Sequence, residues 1–391
     1  MKRILLFFVL ILSFPLVKSQ TYDNLRVSLL TVEPRAKAVY TIFGHTALRL
    51  SDPVQNIDIV FNWGTFDTQI PNFILRYVIG ETDYFLSISS FESFAFIYSS
   101  DTNATVIEQE LYIPDNQKEN LIKTLGINLQ PENIEYRYNF IFDNCTTRPR
   151  DILEKYCGGI LTYPELPAPL TFRKLIHGCT KSYPWLEFGI DCVIGNGADS
   201  LISYRSSLFL PENLMDALSN SVVVYPEGSA NTLVLSSEMV VRPQAESQAK
   251  SSGCSISPVF AGISLFLLFL ALIIVGYFKK RRFRLPFALL FFIAGAGGSI
   301  VAILCFFSLH PCTWPNWNIL WLHPLHFIGC VGFGFGKSYR LFTWYHAINF
   351  VLLSSFMLGW YWIPQELNPA AIPYILSLWM ISGYESFKKH E

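Results

Sequence analysis

The stretch Tyr136–Tyr156, YRYNFIFDNCTTRPRDILEKY, decides how this chain is read. Tyr136 to Phe142 alternates like a strand rich in aromatic residues, and Asp143-Asn144 is a helix-start signal. From Asp151 to Tyr156, the residues Ile152, Leu153 and Tyr156 share one apolar helix face. Cys145 therefore falls where a strand hands over to a helix. A helix N-terminus carries partial positive charge and unpaired N–H groups, and both favour a thiolate over a thiol. Cys145 is thus a candidate nucleophile. Pro149 fits the first helical turn, where its missing donor costs little.

A thiolate nucleophile needs a base, and the candidate lies upstream in Phe43–Leu50, FGHTALRL. His45, Ala47 and Arg49 alternate with Thr46, Leu48 and Leu50, as in a strand. Asp52 to Asn56 reads as a turn and Ile57 to Trp63 as the returning strand. Folding that hairpin about Val54 brings Asn62 or Trp63 opposite His45. The expected constellation is Cys145, His45 and Asn62, the last orienting the imidazole. Asp67 and Asp191 are alternative third members.

The chain has 391 residues and a net charge of −1, so no basic field points to nucleic acid. Apolar residues make up 51%, and the excess is concentrated after Pro258. Met1-Lys2-Arg3, the apolar run Ile4–Val17 and Lys18-Ser19 have the pattern of a secretory signal, expected to occupy residues 1–19. Of eight cysteines, Cys157, Cys179 and Cys192 lie with Cys145 in the part expected to be exported. An oxidising compartment allows one disulfide among those three, without fixing which. No Cys or His spacing suggests zinc, and no metal or cofactor is expected.

Residues 20–247 read as one exported α+β domain. Its expected strands are Val27–Val32, Thr46–Trp63 as a hairpin, Tyr84–Ser89, Gln109–Pro114 and Tyr136–Phe142. Its expected helices include Asn72–Val78, Asn116–Leu125, Thr171–His177 and one starting at Pro211. Val222–Tyr225 and Thr232–Leu235 read as a closing strand pair. Residues 248–257 belong to a polar linker, and 258–391 to an all-α membrane domain.

Pro258–Phe278 is a 21-residue apolar run, followed at once by Lys279-Lys280-Arg281-Arg282. The positive-inside rule puts that cluster in the cytoplasm and everything before Pro258 outside. Leu285–Ser308, Ile319–Gly336, Leu341–Tyr361 and Ala371–Ser386 then read as four further spans, with each Lys/Arg cluster on one side. Trp314, Trp317 and Trp321 read as membrane-interface residues. His323 and His326 flank Pro324 just inside the third span, and His310 lies in an outer loop. Ala294–Ser299, AGAGGS, reads as a site of close helix packing.

FGHTALRL, FNWGTFD (Phe61–Asp67), YNFIFDNCTTRPRD (Tyr138–Asp151) and WLEFGIDCVIGNGAD (Trp185–Asp199), in this order, resemble the exported domain of the Lnb-type bacterial lipoprotein N-acyltransferases. WNILWLHPLH (Trp317–His326) and ELNPAAIPYI (Glu366–Ile375) resemble the membrane part of that family. The resemblance implies a permuted papain-like domain, similar to NlpC/P60 and lecithin:retinol acyltransferase relatives. It is followed by a membrane domain of five transmembrane helices. The implied reaction is an acyl transfer through a thioester on Cys145, with His45 moving the protons. A phospholipid is the implied donor and the N-terminal amine of a diacylglyceryl-cysteine lipoprotein the implied acceptor. Arg148, Arg150 and Trp63 are the candidate contacts to the substrate and its phosphate. The implied location is the bacterial inner membrane, with the catalytic domain periplasmic and the C-terminus cytoplasmic. Two other functions fit the residues alone: a membrane-tethered cysteine peptidase or amidase acting on cell-wall peptides, and a non-enzymatic envelope assembly protein.

Overall fold

The computed structural model describes residues 22–35, 38–101, 103–164, 168–242, 256–335 and 339–387. The expected leader, 1–19, and most of the expected linker, 248–257, lie outside the described residues. Among the described residues there are ten strands: β1 (Arg26–Val32), β2 (His45–Asp52), β3 (Ile57–Thr65), β4 (Asp83–Ser90), β5 (Val106–Leu111), β6 (Glu135–Arg137), β7 (Ile160–Thr162), β8 (Val222–Val224), β9 (Ala230–Thr232) and β10 (Val234–Val241). Seven form one antiparallel sheet in the order β10-β5-β1-β2-β3-β4-β6, and β7-β8-β9 form a second, smaller one.

The helices of this part are α1 (Phe73–Ile79), α2 (Phe91–Phe96), α3 (Asp115–Asn128), α4 (Thr147–Tyr156), α5 (Phe172–Thr180), α6 (Pro184–Val193) and α7 (Pro211–Ser219), with short turns between them. Alternation along β2 and β3 sorts side chains onto the two sheet faces. Leu48, Leu50, Phe61 and Trp63 point to the face covered by Leu121 and Leu125 of α3, Ile152 and Leu153 of α4 and Leu214 and Leu218 of α7. Ala47 and Val60 point to the other face, under Phe94 of α2. Burial of these apolar side chains, at about 1.5–3 kcal/mol for each large one, is the main drive to this arrangement.

The expected strand over Tyr136–Phe142 is corrected to three residues, Glu135–Arg137. The reason is Asn139. Its side-chain oxygen accepts the N–H groups of Ile141 and Phe142, at 3.1 and 2.9 Å, and so turns the chain. Backbone bonds between Asn139 and Asp143 close that turn. The closing strand pair is also corrected. Val222–Val224 pairs with Ala230–Thr232, while β10 leaves that sheet and adds an edge strand to the large one through β5. The disulfide expectation fails as well: Cys157, Cys179 and Cys192 are all unpaired. Cys157 is sealed in the core, its thiol directed at the carbonyls of Glu154 and Gly159.

The C-terminal part is helical: α8 (Pro258–Phe278), α9 (Arg284–Phe307), α10 (His326–Phe335), α11 (Tyr339–Gly359) and α12 (Ile372–Phe387). Among the described residues, three helical stretches are long and apolar enough to cross a membrane: Pro258–Phe278, Arg284–Phe307 and Arg340–Trp362. The segment expected as a third span, Ile319–Gly336, is not one helix. It starts as a 3-10 turn, Trp317–Leu320, runs past Pro324 and becomes helical only at His326. Close packing at AGAGGS is observed. A Cβ on Gly298 would lie 2.4 Å from the His323 backbone, so the glycine lets α9 touch that loop. His323 stacks on His326 with ring centroids 3.9 Å apart, and His326 is hydrogen-bonded to the Tyr345 hydroxyl and the Trp321 carbonyl.

The two parts are tied together by specific polar contacts. The backbone of Gly195 and Asn196 donates to the carbonyls of Cys312 and Pro315 at 2.6 and 2.8 Å. Asn318 and Asn368 donate to the backbone and side chain of Asp191, at 2.8 and 2.9 Å. At a second joint, Leu309 N–H meets the Ile79 carbonyl at 2.8 Å and His310 Nε2 donates to the Tyr77 carbonyl at 2.7 Å. His310 is therefore a strut between the two parts. These joints hold the sheet at the end of α9, beside its last residues.

Candidate active site

The β2–β3 register runs from Leu48↔Phe61 to Asp52↔Ile57. Continued toward the start of β2, it sets Gly64 across from His45, and Asn62 one step along on the same face. Trp63 points to the opposite face and is 1% exposed in the core. Register parity thus decides between the two residues left open by the sequence. His45 Nε2 donates to Asn62 Oδ1 at 3.1 Å, because an amide oxygen only accepts. Nδ1 is then the ring nitrogen left for the thiol. The ring is also stacked on Tyr98, with centroids 6.2 Å apart.

Cys145 sits just ahead of α4, on a turn built by Asn144. The Asn144 side-chain oxygen accepts the N–H groups of Thr146 and Thr147 at 2.8 and 2.9 Å, capping the helix. Its amide nitrogen is anchored to the Phe140 and Phe209 carbonyls. This clamp fixes where the sulfur points. Across from it, Gly64 has φ +98° at a bulge in β3, and a Cβ there would lie 3.5 Å from both Cys145 Cβ and Tyr138 Cε2. The positive φ and the close approach both call for glycine.

The electrostatics couple the pair. Burial pushes the Cys145 thiol up, but the His45 charge and hydrogen bond, the Thr46 N–H and the Thr146 hydroxyl outweigh it and leave the thiol at about 7. Burial also lowers His45, and the facing Cys145 charge, its hydrogen bond and Asn62 more than reverse that, so the imidazole sits above its usual range. The arrangement favours a thiolate–imidazolium pair near neutral pH. Burial and the Cys145 charge raise Tyr138, which keeps its hydroxyl neutral and donating toward the sulfur.

A pH profile of Cys145 alkylation by iodoacetamide, read by peptide mass, should therefore rise with a midpoint near 7. In His45→Ala the two largest influences opposing burial are gone and only the Thr46 N–H and the Thr146 hydroxyl remain, so the midpoint should move up to about 8.5 or beyond. An unchanged midpoint would separate the imidazole from the thiol.

The remaining expected site residues fall elsewhere. Arg148 forks onto Asp143, at 2.6 and 2.8 Å, and its guanidinium lies over the Tyr136 ring. Arg150 is buried and bonded to Asp151 and the Arg205 carbonyl. Both arginines have intramolecular partners, and Trp63 faces the core. Asp67 only caps a turn at Gln69. Asp191 is 2% exposed and bonded to Arg173, His177 and Asn368, away from Cys145. Trp314 is exposed, Trp317 is partly buried, and Trp321 is buried in the helical core with its indole N–H on Asn318. Trp321 is thus a packing residue and not an interface anchor.

Sequence reasoning missed Thr46, Tyr98, Tyr138 and Thr146 around the pair. Thr46 and Thr146 are next to His45 and Cys145 in the chain and join their hydroxyls at 3.1 Å, a link that adjacency alone hinted at. Tyr98 comes from a π-helical turn, Ile97–Asp101, and only the fold brings it to His45.

A capped thiol facing an amide-oriented imidazole, on an α+β domain joined to membrane-crossing helices, marks a membrane-attached domain with a cysteine–histidine centre. Residues 16–178 match the Lnb N-terminal periplasmic domain and residues 248–391 match the Lnb transmembrane domain. The chain belongs to the Lnb family, and is a membrane protein with a periplasmic domain. Membership suggests an enzyme. Neither a curated protein nor a solved structure matches the chain.

Proposed function

We propose that this chain is a lipoprotein N-acyltransferase working through a thioester on Cys145. The thiolate attacks the ester carbonyl of a phospholipid acyl chain, forming the C–S bond. The lysophospholipid oxygen leaves with the proton of the His45 imidazolium. The α-amine of a diacylglyceryl-cysteine then attacks the thioester, His45 takes the amine proton, and the thiolate is released. The Cys145 N–H and the Tyr138 hydroxyl are the candidate donors to the oxyanion.

One observation carries the reading: His45 is oriented by Asn62 and coupled to Cys145, on a domain bonded directly to the end of a membrane helix. A thiol placed there meets substrates whose reacting groups lie at the membrane surface. The reading includes a permuted papain-like domain, a cleaved leader over 1–19, and five spans in which α10 and α12 are the two short ones. It also includes an inner-membrane location with a cytoplasmic C-terminus.

The test uses the full chain with phospholipid vesicles and no acceptor. Intact mass should show one acyl adduct, removed by hydroxylamine and discharged by a diacylated lipopeptide. Absence of any adduct, with cleavage of a cell-wall peptide instead, would point to the peptidase or amidase reading.

A further inference from the structure

Helix α1, FILRYVI, has no buried residue, and Ile74 and Leu75 are 78% and 58% exposed. An apolar helix that leaves side chains such as Ile74 and Leu75 open to this extent marks a surface with a partner. Two sets of contacts say which partner. The first fixes its height. The end of α1 is bonded to the chain just beyond α9, through Ile79 to Leu309 and Tyr77 to His310. A Cβ on Gly80 would come within 3.0 Å of the His310 nitrogen. At that end of α9, Phe306, Phe307 and Leu309 are themselves exposed. Exposed apolar side chains at the end of α9 thus adjoin the end of α1. The only charge in the helix, Arg76, folds back onto the Glu81 carbonyl and Asp83, which leaves the exposed side chains uncharged.

The second set leads from α1 to the sulfur. Phe73 stacks on Phe66, Phe66 packs on Tyr84, and Tyr84 stacks on Tyr138, with centroids 5.9, 5.0 and 4.1 Å apart. Tyr77 reaches Tyr138 by a shorter path through Phe140. Tyr138 and Cys145 both border the space above Gly64. We infer that α1 dips into the periplasmic-side leaflet and, with this aromatic run, forms the lip over which a lipid acyl chain leaves the bilayer for Cys145. The leaflet contact stands on the geometry of α1 and α9, and the passage of an acyl chain rests on the acyltransferase reading.

The test places a photoreactive phenylalanine analogue at position 74 of the full chain, in phosphatidylethanolamine–phosphatidylglycerol vesicles. Illumination should give phospholipid adducts at 74, as at Phe306, and none at Val54, which is exposed at the far end of the β2–β3 hairpin. Adducts at 306 but none at 74, or adducts at 74 to protein only, would overturn the inference. Ile74→Asp with Leu75→Asp should slow thioester formation from vesicle phospholipid by about tenfold or more. The alkylation midpoint of Cys145 in that variant reports whether the site is still built. An unchanged thioester rate with an intact midpoint would also overturn it. Lipid adducts at 74 without any thioester on Cys145 would support the leaflet contact and count against the acyl relay instead.

Discussion

Replacing Cys145 with alanine should abolish the acyl adduct and lower transfer by about ten-thousand-fold or more, as expected when the nucleophile of a covalent mechanism is lost. The side chain removed is small and its turn is held by Asn144, not by the sulfur. The protein should therefore stay folded, with a thermal midpoint close to the parent. Cys145→Ser should be nearly as inactive. A serine hydroxyl in that pocket lacks the low proton affinity that holds the thiol at about 7. The measurement is the N-terminal mass of a lipoprotein in cells lacking this chain and supplied with either variant. Full triacylation by Cys145→Ala would remove the covalent mechanism and leave an assembly role.

The second large effect is expected far from the sulfur. Arg173 is fully buried and bonds to Asp191 and Asp199, each at 2.6 Å, and to the carbonyls of Ile194 and Gly195. Asp191 in turn holds His177 and Asn368. Arg173→Ala would leave Asp191 buried without its main cation, a loss of about 3–5 kcal/mol. The same segment, Asp191–Asp199, carries the backbone contacts to Cys312 and Pro315. The loss should therefore loosen the joint between the periplasmic part and the helices. It should appear as a lower thermal midpoint in detergent and faster protease cleavage between residues 242 and 258. A variant melting with the parent would show that the cluster contributes little to the joint.

Both effects bear on what was legible before any coordinates. The candidate pair, Cys145 and His45, was legible because the neighbours of each carry local signals. Asp143-Asn144 marks a helix start, and His45 stands in an alternating run before a turn. The register was only half legible. A turn centred one half-residue differently swaps Asn62 for Trp63, and the observed pairing of Asp52 with Ile57 selects Asn62. The strand over Tyr136–Phe142 was misread because the period-two pattern is real, but Asn139 offers the backbone a competing side-chain acceptor. The segment Trp185–Asp199 carried one alternative third member, Asp191, in the sequence reading. It is instead the inner half of the joint, since its carbonyls and acids are matched by Asn316, Asn318, Gln365 and Asn368, more than a hundred residues away.

By itself, the sequence determined the two-part build, the α+β character of the first part and the choice of Cys145 and His45 as the candidate pair. These follow from hydropathy and from signals spanning a few residues. Tertiary structure alone decided which side chain orients the imidazole, which residues line the sulfur and how the domain sits on its helices. Those depend on strand register and on contacts between segments distant in sequence, where one residue of slip turns a side chain to the opposite face.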